Sequence, residues 1–419
     1  MTYMQASNSN LKLTFSQDSS KDATEDKSNV DLLAGLDFSL SQDPLVPQQK
    51  STESPAKVLP KPAPSTAPGV DCTADVEEKL AAITIVEKVV PPTDVDQESK
   101  QLTLTPKKSV DERTKGKFQL KDPFNDTEVL NQFVQEVEKF EKFVEGLTVK
   151  TLNGPTLLDI KWKELLELQE KDSLKHSISV ARCYPVKNRF PDILPYDNSR
   201  VELPSTKDDY INASYVKDIT PNFPDFIVTQ LPLSSTFGDF WTMILEQQVE
   251  LVVCLLSDLE LEGAQYWPSD KGVDMTVGRV KLTLQSSNVC KHWVERIIYV
   301  TDSRVSRVVV HLQFSDWPGS LFPSSPGPFL ALVCEALSVR VQQRGDGPVV
   351  VHCLSGVGRA GLYLLATAAV CHIHHWRTLP DLTTLAAHIS GWRKNALRDR
   401  EHFKFAHQVL LYYGQDLLM

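Results

Sequence analysis

Apolar positions along this chain follow no regular period over residues 1–110, then fall into clear patterns from Asn125 onward. Val129, Phe133, Val137, Phe140 and Val144 recur at steps of three and four. That spacing predicts an amphipathic helix over DTEVLNQFVQEVEKFEKFVEGL, with Asp126 at its cap. A second helix is expected over about Leu157–Glu170. Beyond Leu194 come short β-like runs: FIVTQLPL, VELVVCLL, GRVKLTLQSS, HWVERIIYV, RVVVHLQF and GPVVVHC. VELVVCLL and GPVVVHC are nearly continuous apolar stretches, as expected of strands covered on both faces. Helices are expected at about Thr236–Glu246 and Pro328–Gln342, with two or three more across 361–417. Strands mixed with helices in one block predict an α/β domain over 125–419, built on a twisted mixed sheet flanked by helices.

The first 110 residues differ in kind. They contain no Arg and no Trp, and their only aromatics are Tyr3, Phe15 and Phe38. So little apolar surface cannot offset chain entropy, which predicts a disordered tail over 1–124. Within it, 58–69 reads as a Pro-rich linker, and 74–89 as a marginal helix without a partner. Asp31–Phe38 is an acidic-leucine cluster, and Lys121-Asp122-Pro123-Phe124 carries Asp-Pro-Phe. Both resemble short linear motifs that clathrin and endocytic adaptors capture from flexible tails. Docking there would gain through repetition.

Charge and composition narrow the function further. A net charge of −10 argues against a nucleic-acid or membrane-surface binder. No apolar run is long enough for a transmembrane helix, and the N-terminus lacks a basic stretch followed by an apolar core. Seven dispersed cysteines without CxxC spacing fit reduced cytosolic thiols, and hence a cytoplasmic protein. No metal or nucleotide motif is present, so no cofactor is expected.

The candidate chemistry lies in Val349-Val350-Val351-His352-Cys353-Leu354-Ser355-Gly356-Val357-Gly358-Arg359-Ala360-Gly361. A buried strand enters a short loop, and a helix follows. Five residues between Cys353 and Arg359 let successive amides of Leu354, Ser355, Gly356, Val357 and Gly358 line an anion nest at a helix N-terminus. The glycines permit the backbone angles that this curl requires. The positive field of the nest favours the Cys353 thiolate, a nucleophile toward phosphorus. Arg359 can grip two phosphate oxygens with its planar fork.

Together with other segments, this loop resembles the protein tyrosine phosphatase family. Lys187–Asp197 (KNRFPDILPYD) is similar to its phosphotyrosine-recognition loop, and Asp209–Ser214 (DYINAS) to its following core signature. Thr229–Pro232, Asp239-Phe240-Trp241, Gln265–Pro268 (QYWP) and Trp317-Pro318 match further elements in order. HCLSGVGR and the ARCYP…NRF…DILPYD stretch most resemble the non-receptor branch that carries a His domain. Members of that branch have an N-terminal, endosome-sorting Bro1 domain, and this chain resembles their C-terminal part. The resemblance implies a phosphotyrosine-protein substrate, a phosphocysteine intermediate, Phe190 as a stacking face and Asp192 as a receptor for peptide amides. It also implies an endosome-associated location.

Several positions depart from the family. Its general-acid Asp, which follows Trp-Pro, is Gly319; Asp316 is expected to point elsewhere, and Ser320 cannot serve as an acid. The Ser or Thr after the signature Arg is Ala360. A Lys before QYWP is Glu262, and the water-positioning Gln aligns near Arg398. Everything that holds a phosphate is kept, and groups that assist bond cleavage are altered. Two readings stay open: a slow phosphatase, and a catalytically inactive pseudophosphatase scaffold in endosomal or endocytic sorting.

Overall fold

The computed structural model describes residues 124, 126–150, 154–261, 263–343 and 345–419. All of them belong to one compact unit, Lys100–Met419. The linker at 58–69, the helix expected over 74–89, the Asp31–Phe38 cluster and Glu262 lie outside the described residues.

Helix α1 (Thr127–Gly146) starts where expected: the Asp126 carboxylate accepts from the Glu128 amide at 2.8 Å. Phe133 and Val137 are buried, and Val129, Phe140 and Val144 pack beside them. Phe124 is only 8% exposed, and its ring centroid lies 4.6 Å from that of Phe133. Phe124, the last residue of the tail expected over 1–124, thus packs in the core. It also changes the Asp-Pro-Phe reading, because that motif's aromatic anchor is part of the core. Helix α2 (Leu157–Ser173) opens on a reciprocal capping box between Thr156 and Asp159. A single turn, α3 (Ser179–Arg182), leads into the sheet.

The sheet has nine strands: β1 (Arg200–Leu203), β2 (Asp209–Val216), β3 (Phe226–Gln230), β4 (Leu251–Cys254), β5 (Asp274–Val277), β6 (Val280–Val289), β7 (Trp293–Thr301), β8 (Ser306–Phe314) and β9 (Val349–Cys353). Their order is β1-β2-β3-β9-β4-β8-β7-β6-β5. The central four, β3-β9-β4-β8, run parallel, and the outer pairs are antiparallel. The mixed sheet expected from sequence is thus present, with β9 buried on both faces. Strands β1, β2 and β5 were not foreseen. β2 carries Asp, Asn, Ala and Ser, poor strand formers, and is fixed by pairing on both sides.

Helices α4 (Phe237–Glu246), α5 (Asp258–Leu261), α6 (Gly327–Gln342), α7 (Arg359–Trp376), α8 (Leu382–Trp392) and α9 (Arg400–Asp416) complete the domain. One apolar cluster joins α6–α9 with one face of the sheet, and a second joins α4 and the QYWP segment with the other face. In open sheets with parallel strands, ligands bind beyond the strands' C-terminal ends. Here the C-terminal end of β9 is Cys353.

Candidate active site

The β9–α7 turn is shaped by its neighbours. Gly356 and Gly358 have φ of +76° and +82°, where an L side chain is strained. A Cβ on Gly356 would meet the Thr229 carbonyl oxygen at 2.7 Å, so glycine is also required for space. Successive carbonyls of the loop are taken up by the protein. Leu354 O accepts from the Leu231 amide at 3.1 Å, and Gly356 O from Arg393 Nε at 3.0 Å. Ser355 O accepts from Arg393 Nη2 at 3.3 Å, and Val357 O from the Cys353 thiol at 3.2 Å.

With the carbonyls engaged, the amides are left over. Among the described residues no hydrogen bond engages the N–H groups of Leu354, Ser355, Gly356 or Arg359. These stand at the N-terminus of α7, where the helix field favours an anion. Two amides are committed elsewhere. Gly358 N–H donates to Ala396 O at 2.8 Å, and Val357 N–H reaches the Ser355 hydroxyl at 3.4 Å. Ser355 Oγ in turn donates to Val357 O, so its hydroxyl serves the loop's own backbone. Ala360 is fully buried in the core.

Arg393 had no place in the sequence reading. It is 1% exposed and also donates to Asn212 Oδ1 at 2.8 Å and Ser214 Oγ at 3.2 Å. Burial pulls its guanidinium down to about 10, which leaves it charged at neutral pH. It therefore lies under the loop as a buried cation, hydrogen-bonded to neutral oxygens.

Cys353, Leu354, Ser355, Val357 and Arg359 line a cavity of about 430 Å³. Its far walls are Glu260, the Trp317–Phe322 segment, Arg398, Asp399 and His402. Arg359 is held bidentately by Glu260, Nη1 to Oε2 at 2.9 Å and Nη2 to Oε1 at 2.6 Å. Nη1 also donates to Leu255 O at 3.0 Å, and Nη2 to Gly319 O. The guanidinium lies 4.7 Å from the Trp317 ring centroid, a cation–π contact. Burial alone would raise the Glu260 carboxyl, but Arg359 and the Ser257 amide outweigh it and hold the group below the ordinary range.

Gly319 thus lies on the cavity wall with its backbone carbonyl on Arg359. Asp316 turns away: its carboxylate meets His292 Nδ1 at 2.5 Å outside the cavity. Ser320 lines the cavity but is exposed. Phe190 and Asp192 do not line it. Their segment is tied one strand away. Gln230, the register partner of Cys353, accepts from Arg189 N–H and donates to Lys187 O, both at 2.9 Å. Phe190 is half-buried and Asp192 exposed.

Behind Cys353, Tyr266 of QYWP links two buried imidazoles: its hydroxyl is 2.6 Å from His352 Nε2 and 2.9 Å from His311 Nε2. Cys254 lies near both rings. Burial pushes His352 down to about 4, and His311 well below the ordinary range. His352 Nδ1 faces the Cys353 carbonyl at 3.4 Å, so its Nε2 accepts from the Tyr266 hydroxyl. This neutral network braces the strand that presents the cysteine.

Relatives of known name agree with this geometry. A family model described as protein-tyrosine phosphatase matches residues 184–412. Tyrosine-protein phosphatase non-receptor type 23 of Mus musculus is 39% identical over 303 residues, covering 71% of this chain and 17% of that protein. The Homo sapiens protein of the same name is 37% identical over 304 residues, covering 71% of this chain and 18% of its own length. Tyrosine-protein phosphatase non-receptor type 7 of Homo sapiens is 33% identical over 236 residues, covering 55% of this chain and 64% of its own. The chain spans a fifth or less of the type 23 relatives. By its family match, by these relatives and by its Cys353–Arg359 loop, the chain belongs to the protein tyrosine phosphatase family, on the non-receptor side that the signature residues pointed to.

Proposed function

We propose that this domain binds phosphotyrosine proteins through the Cys353–Arg359 loop and dephosphorylates them slowly. The observation that carries the reading is one cavity that collects Cys353, unpaired loop amides and Arg359, on a wall where position 319 has no side chain. Cys353 Sγ attacks phosphorus, an S–P bond forms, and the aryl C–O–P bond breaks on the phosphorus side with its electron pair leaving as phenolate. Arg359 exchanges part of its hold on Glu260 for phosphoryl oxygens. Phe190 and Asp192, tethered beside Cys353 through Gln230, form the outer rim for the tyrosine ring and peptide backbone. Phenolate has a pKa of about 10 and leaves poorly without a proton. A missing general acid costs on the order of 10²–10⁴ in rate, and Ala360 supplies no hydroxyl to the sulfur during the second step.

The test is turnover of an activated aryl phosphate, whose leaving group needs no proton, beside a phosphotyrosine peptide. Measurable turnover of the former, abolished in Cys353→Ser, with much slower turnover of the latter, is the expected result. Activity that survives Cys353→Ser would sink the enzyme reading. The scaffold alternative is favoured by one observation: Gly319 on the cavity wall and the buried Ala360 offer neither an acid nor a hydroxyl, while Arg359 and the open loop amides remain. It predicts peptide binding that is lost in Arg359→Met, with no turnover of either substrate. For the tail we propose a tether to clathrin adaptors, in the cytoplasm at endosomes, through 31–38. Deleting that segment should reduce adaptor recovery; undiminished recovery removes the idea.

A further inference from the structure

We propose that His402, oriented by Asp399, is the general base that activates water to hydrolyse the phosphocysteine at Cys353; this rests on the slow-phosphatase reading. Helix α9 begins at Arg400, and the Asp399 carboxylate caps it by accepting the His402 amide at 3.0 Å. The same oxygen lies 2.8 Å from His402 Nδ1. Burial raises this carboxyl less than the bond to His402, its largest influence, lowers it, so it stays below the ordinary range and ionised at neutral pH. It therefore receives the proton of Nδ1–H. In the neutral ring that tautomer leaves the lone pair on Nε2.

Nε2 is free and well placed. Among the described residues it has no hydrogen bond. It abuts the phosphate loop so closely that a Cβ on Gly358 would lie 2.9 Å from it. The Phe322 ring packs edge-on against the imidazole at 4.9 Å between centroids. His402 and Asp399 line the same cavity as Cys353 and Arg359; the His402 side chain is 12% exposed and that of Asp399 51%. A lone pair at Nε2 suits the second step rather than the first, because protonating phenolate would need an Nε2–H.

The step balances without another reactant. Water oxygen attacks phosphorus while its proton passes to Nε2. The P–S bond breaks, and its electron pair returns to Sγ as thiolate. Inorganic phosphate leaves, and the imidazolium, stabilised by Asp399, releases its proton to solvent. This supplies a base from the N-terminus of α9, in the cavity that Gly319 also lines.

Rapid mixing of the full chain with p-nitrophenyl phosphate tests it. In His402→Gln the burst of p-nitrophenol should persist at about one per active site. Steady-state turnover should fall ~10²-fold, and intact-protein mass should show a phosphorylated Cys353. Added imidazole should restore turnover in His402→Ala, which a purely capping role would not allow. Steady-state rates equal to wild type in both variants overturn the inference. So does a slowed variant with neither phosphocysteine nor imidazole rescue. A wild-type chain with no burst and no turnover overturns this inference together with the slow-phosphatase reading, whereas a wild-type burst with indifferent variants removes His402 alone.

Discussion

Gly319 has φ +64°, with its amide 2.9 Å from Trp317 O and its own carbonyl on Arg359. A carboxylate restored there enters open space, since nothing lies within 4 Å of a Cβ built at that position. It would do so on a left-handed backbone that costs a non-glycine residue about 1 kcal/mol. Gly319→Asp combined with Ala360→Thr is therefore expected to raise phosphotyrosine-peptide turnover by ~10²-fold or more, with a loss of about 1–3 kcal/mol from the atoms added at the fully buried Ala360. Steady-state kinetics and a melting curve check both halves; unchanged turnover would mean that these positions are not limiting. Arg393 gives a second test at the same scale. Arg393→Met leaves the Ser355 and Gly356 carbonyls and Asn212 Oδ1 without their donor. A loss of at least ~2 kcal/mol is expected from such buried acceptors, together with loss of vanadate binding. Urea unfolding and vanadate titration read the two effects. The missing Asp at 319 was legible in the chain, but its backbone conformation was not, because φ there is set by contacts to Trp317 and Arg359.

Elements were legible in proportion to how far their own residues dictate them. The stripe of α1 and the apolar run of β9 each carry their burial in their spacing, and both formed where expected. β2 did not announce itself: its Asn212 and Ser214 are buried only because Asn188, Ile193 O and Arg393 satisfy them. The start of α7 depends on a close approach of the same kind. A Cβ on Gly361 would lie 1.9 Å from Ala396 O, the carbonyl that also receives the Gly358 amide. Gly361→Ala should force that segment off the helix and cost about 3 kcal/mol, despite alanine's better helix propensity. A melting temperature at or above wild type would contradict this packing.

For the molecule as a whole, burial holds several imidazoles among the described residues neutral: His311 is pushed well below the ordinary range, and His352, His374 and His407 each down to about 4. In the unfolded chain they would titrate near 6.5. As pH falls from about 6.5 toward 4, the unfolded state takes up protons that the folded state refuses, so stability falls through that window. Thermal melts should show a declining midpoint between pH 7 and 5, shallower in His407→Phe. A flat profile over that range would show that these rings are solvated. Carboxylates held low by cationic partners, Glu260 among them, add their losses at still lower pH. At this scale too, Phe124 packs in the core although composition marks it as tail.

The chain by itself determined the Cys353–Arg359 motif and the family. Cys353, two glycines and Arg359 lie within seven consecutive residues, so their order reads directly from the chain, although the curl itself also draws on Thr229, Arg393 and Ala396. The amphipathic and apolar periods likewise determined the α/β class. Tertiary structure alone decided what surrounds the loop. Glu260 is 99 residues from Arg359, and Arg393 is 37 residues from Gly356. Contacts over such separations depend on how the sheet and helices pack, which no local pattern encodes. That packing put a carboxylate on Arg359, a buried cation beneath the loop and an imidazole at its side.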